Sequence, residues 1–276
     1  MIQLKMDGKS FPIFANFSDP LNEERLEWEF WQKGDKKMTE WLEKTGRRLL
    51  EARPGPVTVQ STKYENDVIA VVKTIYRNRM GNLLLNALNG AVNIFIVPFH
   101  GDEREKCGCA ALTPWGVYPK KWGGGIRLYF DPADFAGNTD SYTADDILFH
   151  ELVHAYRIGK KNSEQKNRPL DGYRSAEEFV AVQMQNVYLD CRGLRRYYLT
   201  HLNPVMRTKS HIYGEIRDSS EYLQALNYFI SREPLAQEVS RWRLPSPDYN
   251  PWRDFPGLLR MFQDKYELPN LTFMPL

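Results

Sequence analysis

His150-Glu151-Leu152-Val153-His154 sets the architecture expected of this chain. On a helix, residues four apart share a face. The two imidazoles therefore stand one turn apart and can meet a single ion at about 2.0–2.1 Å from nitrogen to metal. Glu151 then lies beside the ion without having to ligate it, which is the pattern of a zinc site with a built-in general base. An ion held there with one open position polarises a carbonyl and lowers the pKa of water toward about 7, while the carboxylate takes the proton. Peptide-bond hydrolysis is the chemistry these groups suit.

The flanking sequence supports a helix. Thr143 reads as its N-cap, and Asp145 and Asp146 place negative charge in the first turn. Ile147, Leu148, Phe149, Leu152, Val153 and Tyr156 supply an apolar stripe, and Gly159 stands where a C-cap belongs. Upstream, Ile126-Arg127-Leu128-Tyr129-Phe130 alternates as a strand does, until Asp131-Pro132 ends it. The competing reading, two ordinary partnered histidines, requires both rings and a carboxylate to coincide at this spacing.

A third ligand has to come from elsewhere. Arg157 occupies the glycine position and Lys160 the third-histidine position of the HExxHxxGxxH pattern, which excludes the metzincin class. The better source is a second helix, predicted from Ser175 to Tyr188, on which Glu178 can complete a His, His, Glu set and leave one position open. Ser175-x-x-Glu178 also fits a capping box, so Glu178 has a purely structural alternative, and Glu177 is the fallback ligand. The small Ala181 three residues on favours Glu178.

These residues carry a resemblance. HELVHAYR, preceded by a strand ending in Asp-Pro, resembles the NleD-like family of bacterial effector zinc metallopeptidases. Asn78-Arg79-Met80-Gly81-Asn82-Leu83-Leu84-Leu85 is similar to a segment found before the zinc helix in related toxin domains. Glu177-Glu178-Phe179-Val180-Ala181 is similar to the glutamate-bearing helix of anthrax lethal factor, which implies Glu178 as the ligand. The same likeness implies that Tyr173, just before that helix, steadies an oxyanion, although its spacing to the helix is shorter by a couple of residues. The similarity covers roughly residues 76 to 190.

Composition bounds the rest. A chain of 276 residues with 42% hydrophobic and 13% aromatic residues can bury a large core. Lys and Arg number 37 against 35 Asp and Glu, a net of +2 without a basic block, so nucleic acid is not an implied partner. Asp102 to Lys106 and Lys33 to Lys37 are mixed-sign runs suited to solvated surface. Three cysteines make no disulfide framework, and Cys107-Gly108-Cys109 lacks the second pair of a zinc knuckle. The apolar run Ala91 to Phe99 is too short to span a bilayer, and Lys5, Asp7, Lys9 and Pro12 break Met1 to Phe17. No Sec signal is expected, and export would use a specialised secretion system that delivers the protein into a target cell.

The expected fold is α+β and zincin-like, mainly helical with a small mixed sheet. Residues 1–55 form an N-terminal helical extension, with helical pieces from Leu21 to Ala52, and 56–276 form the catalytic domain. Val57 to Gln60 and Val92 to Val97 read as strands, Asn66 to Arg77 and Asn82 to Leu88 as helices, and Cys107 to Gly125 as a long connection. Ser219 or Asp218 caps Glu221 to Ile230, and Glu233-Pro234 opens a further helix. Trp242, Trp252 and Phe255 anchor a proline-divided tail. Tyr213 and His211, on an irregular stretch, are further oxyanion candidates.

Two functions follow. One is a zinc endopeptidase binding one Zn2+ per chain through His150, His154 and Glu178, with Glu151 and Tyr173 catalytic. It would be a secreted effector or toxin whose partners are a protein or peptide substrate, a secretion apparatus or an immunity protein. The other is a non-catalytic interaction module with a structural zinc. Glu151 distinguishes them, because a structural site needs ligands but no base.

Overall fold

Asp7-Gly8 closes a two-residue hairpin between strands β1 (Ile2–Met6) and β2 (Lys9–Ala15), with both turn residues at positive φ, 49° and 74°. A type I′ turn requires this backbone, and glycine adopts it without the clash that a Cβ brings. The residues that the sequence suggested as the start of a helical extension are thus antiparallel strands. Leu4, Phe11, Ile13 and Ala15 are buried, so the hairpin carries one side of a core. The helical pieces expected from Leu21 to Ala52 lie outside the described residues, as do Cys107, Cys109 and the mixed-charge runs. The computed structural model describes residues 2–15, 57–90, 93–98, 110–111, 117–118, 125–135, 143–160, 169–173, 175–195, 197–199, 206–243 and 247–255.

Among these residues the structure is mainly helical with a small mixed sheet, an α+β composition. It divides into two units, Met1–Arg77 with Leu88–Gly159, and Asn78–Ala87 with Lys160–Leu276, rather than at residue 55.

In the first unit, β2 pairs in parallel with β3 (Ile94–Val97), and β3 in parallel with β6 (Gly125–Tyr129). Two short strands within the expected long connection, β4 (Ala110–Ala111) and β5 (Val117–Tyr118), pair antiparallel with β6. All four residues of β3 are buried, as suits a strand with neighbours on both edges and cover on both faces. Helix α1 (Val57–Arg77) packs on β1, β2 and helix α3 (Ala144–Gly159). Val57 to Gln60 therefore begins a helix and not a strand. Its β-branched residues suit either state, and the helix continues through the buried positions Tyr64, Val68, Val72 and Ile75, spaced three or four apart. Tyr64 Oη donates to the Phe130 carbonyl at 2.9 Å, tying α1 to the end of β6. Asp131 Oδ1 accepts from Ala133 N at 3.0 Å, which turns the chain into the short 3-10 helix Pro132–Phe135.

The second unit begins at Asn78, whose Oδ1 caps α2 (Arg79–Leu88) by accepting from Met80 N and Gly81 N at 2.8 and 3.2 Å. Its Nδ2 donates to the Tyr188 carbonyl on α4 (Ala176–Cys191) at 3.2 Å. After α4 come β7 (Tyr197–Tyr198) and β8 (Met206–Arg207), an antiparallel pair. Helices α5 (Lys209–Asp218), α6 (Ser220–Arg232), α7 (Pro234–Ser240) and α8 (Pro251–Asp254) follow. Helix α6 packs on α4, α5, α7 and α8. Ser219 Oγ caps α6 through Tyr222 N at 3.2 Å, and Pro234 opens α7, both where the sequence put them. Trp242, Trp252 and Phe255 are buried, with Arg79 lying 4.0 Å over the Trp242 ring and Phe229 5.5 Å from Trp252.

No helix among the described residues is long and apolar enough to cross a membrane.

Candidate metal centre

Helix α3 starts with a reciprocal cap. The Thr143 carbonyl accepts from Asp146 N and Ile147 N at 3.1 and 3.2 Å, and Asp146 Oδ2 accepts from Thr143 N at 3.2 Å. The carboxylate reaching back to the N-cap is the half of a capping box that fixes the first turn, and its charge complements the helix dipole. From Asp145 to Arg157 every residue of α3 is buried. His150, Glu151 and His154 are thus carried in the middle of an enclosed helix, where a polar side chain is costly unless it has a partner.

The Nε2 atoms of His150 and His154 lie 3.1 Å apart, with the rings at 78° to one another. Two ligands at about 2.0–2.1 Å from a tetrahedral zinc stand about 3.3 Å apart, so this spacing is close to a coordination edge. Two neutral imidazoles sharing one hydrogen bond would also account for it. One ligand atom each from His150, His154 and Glu178 also lies within 4.8 Å of the others, a group able to hold a metal ion. Two nitrogens and one carboxylate oxygen are the donor set zinc takes in hydrolytic sites, with a position left over. The residues therefore fit the ion.

Glu178 stands in the first turn of α4. Ser175, extended at φ −163°, is the N-cap, and its Oγ accepts from Glu178 N at 3.3 Å. The backbone of Glu178 is thus capped by the serine, while its carboxylate belongs to the ligand group. The serine half of the capping box read from the sequence is present, and it engages the backbone N–H of Glu178. Glu177 is buried and is not a member of the group.

Tyr173 closes a tight turn from Leu170, its N donating to the Leu170 carbonyl at 3.0 Å across Gly172 at φ 74°. Its hydroxyl donates to the Leu199 carbonyl and accepts from Gln183 Nε2 at 3.5 Å. Burial, reinforced by Tyr222, holds its pKa well above the usual tyrosine value, so it remains a phenol. A phenol donates one hydrogen bond, and in this structure the Leu199 carbonyl accepts it. Tyr213 is committed in the same way: its hydroxyl donates to Asp254 Oδ2 at 2.5 Å and accepts from Asn250 N at 2.8 Å. Tyr213 and His211 lie on helix α5 rather than on an irregular stretch, and His211 is exposed. The Cys191 thiol, half-buried at the end of α4, is pushed up to about 11 by burial and the Asp190 charge, so it is a poor nucleophile.

Three residues of α4 that sequence reasoning passed over organise the polar interior of this unit. Gln183 Oε1 accepts from the Tyr249 hydroxyl. One turn on, Asn186 pairs with Tyr198 as a strand would, its Nδ2 donating to the carbonyl at 2.9 Å and its Oδ1 accepting from the amide at 2.7 Å. Asp190 Oδ1 accepts from the Tyr197 hydroxyl, and its Oδ2 from Asp248 N at 2.5 Å. Positions three and four apart form one stripe. The signal available in the sequence was their spacing, three and four residues apart on one helix face.

No protein-family model, curated protein or solved structure matches the chain.

Proposed function

We propose that the protein is a zinc-dependent endopeptidase of zincin type. Its ion would be held by His150, His154 and Glu178, with Glu151 as general base. The observation that carries this reading is the His150, His154, Glu178 ligand group with Glu151 on the same buried helix turn as the histidine pair. Zinc, when bound, supplies Lewis acidity toward a carbonyl oxygen and acidifies water. The protein's own part is the proton transfer. Glu151 accepts the proton of the attacking water and returns it to the departing amine nitrogen, so water and one peptide bond become a carboxyl and an amine. Burial of the helix keeps bulk water from competing for that carboxylate.

Sequence resemblance to NleD-like effectors and to the lethal-factor ligand helix supports an exported effector or toxin acting on a protein in another cell. Glu151 speaks against a purely structural zinc, for which no base is needed. Incubating the zinc-loaded protein with a mixed peptide library, with Glu151→Gln as control, tests the activity. Wild-type cleavage that the variant lacks is expected. An intact library with zinc-saturated wild type would move the protein to the interaction-module class.

A further inference from the structure

Glu178 leaves α4 in its first turn, so its direction depends on how the chain enters that helix. Tyr173 controls this entry from two sides. It lies two residues before the capping Ser175, and its ring stands edge-on to Phe179, the residue after Glu178, at 5.1 Å. Tyr222 closes the same corner, stacking on Phe179 at 4.7 Å and donating its hydroxyl to the Asp171 carbonyl at 2.7 Å. Tyr173 is in turn held by a directional chain of hydrogen bonds. Tyr249 donates to Gln183 Oε1, Gln183 Nε2 donates to Tyr173 Oη at 3.5 Å, and Tyr173 donates to the Leu199 carbonyl. Gln183 and Tyr249 are both fully buried. Every member uses its proton in one direction, so no link can reverse without leaving a buried group unsatisfied.

Building on the metal reading above, we propose that Gln183 is a positioning residue for Glu178, acting through Tyr173 to hold the start of α4 in the orientation in which the carboxylate can ligate. An amide is suited to this role, because it accepts from one tyrosine and donates to another at the same time. A leucine or methionine would fill the volume and supply neither bond.

The test is zinc affinity of the full chain, measured by competition with a chromophoric chelator and without reference to turnover. Gln183→Met and Tyr173→Phe are each made in the Glu178 chain and in the Glu178→Ala chain. With Glu178 present, each should weaken zinc binding by about tenfold, the lower end of what losing an outer partner of a ligand costs. In the Glu178→Ala background the same changes should move affinity by less than about twofold, because the group they position is gone. An equal loss in both backgrounds would mark a general effect on the fold and overturn the proposal, as would no loss when Glu178 is present. If Gln183→Met does not fold, Tyr249→Phe breaks the same chain by removing the donor to Gln183 Oε1. Failure of the metal reading shows separately, in a parent chain that binds no zinc or whose affinity is unchanged by Glu178→Ala.

Discussion

His150 and His154 direct their Nε2 atoms at one another across 3.1 Å, on a helix turn that is buried on all sides. An α-helix brings residues four apart onto one face but does not by itself aim both rings at a common point. Convergent ring nitrogens beside a carboxylate are what a zinc ion requires, and the buried setting removes the water that would otherwise compete for the ligands.

Glu151→Ala should leave zinc stoichiometry unchanged and lower peptide turnover by at least about a hundredfold, the usual scale for removing a general base. Metal analysis and single-substrate kinetics on the same preparation check both halves. Retained turnover would place the base elsewhere.

Glu178 and its neighbour Glu177 give a paired prediction. Glu178→Gln should weaken zinc binding by more than about tenfold, whereas Glu177→Gln, outside the ligand group, should change it by less than about twofold. Isothermal titration with zinc reads both, and the reverse ranking would reassign the ligand.

Tyr173→Phe should cost about 1–3 kcal/mol of stability, because the Leu199 carbonyl loses its buried donor. In zinc-saturated protein the fall in turnover should stay below about tenfold, short of the roughly 10²–10³ that loss of an oxyanion donor brings. Denaturant titration and kcat together distinguish the two. A large kcat effect with unchanged stability would restore the oxyanion role implied by the resemblance.

Much of the fold was legible because it is local. The Asp131-Pro132 stop, the Thr143 and Ser219 caps and Pro234 each act within a few residues, and the structure uses each of them as read. The HExxH pair was legible for the same reason. The hairpin at Asp7-Gly8 is also local, flanked by Leu4, Met6, Phe11 and Ile13 at alternate positions. Val57 to Gln60 is too short for periodicity to separate helix from strand. The Tyr173 hydroxyl could not be placed from sequence at all: its acceptor lies 26 residues away and its donor ten, so its role depends on tertiary pairing. Gln183, Asn186 and Asp190 carry helical spacing in the sequence, but their partners Tyr249, Tyr198 and Tyr197 are set by tertiary pairing.

Asp254 should give the second unit an acid-sensitive contact. Burial alone would raise its pKa. Hydrogen bonds from Arg253 and Tyr213, with the charges of Arg253 and Lys209, outweigh that and hold the carboxyl below its usual value. A depressed carboxylate contributes stability that is present above the unfolded pKa of about 3.9 and is lost as pH falls through the lower folded value. Thermal melts from pH 6 downward should therefore show Asp254→Asn losing less stability with acid than wild type over about pH 4 to 2. Parallel curves would contradict the assignment.

The most direct measurement is the metal content of purified protein by inductively coupled plasma mass spectrometry, wild type against His150→Ala. One zinc per chain in wild type, with loss of most of it in the variant, is the expected result. No zinc in wild type after loading, or equal zinc in both proteins, would contradict a site built on the His150 and His154 pair.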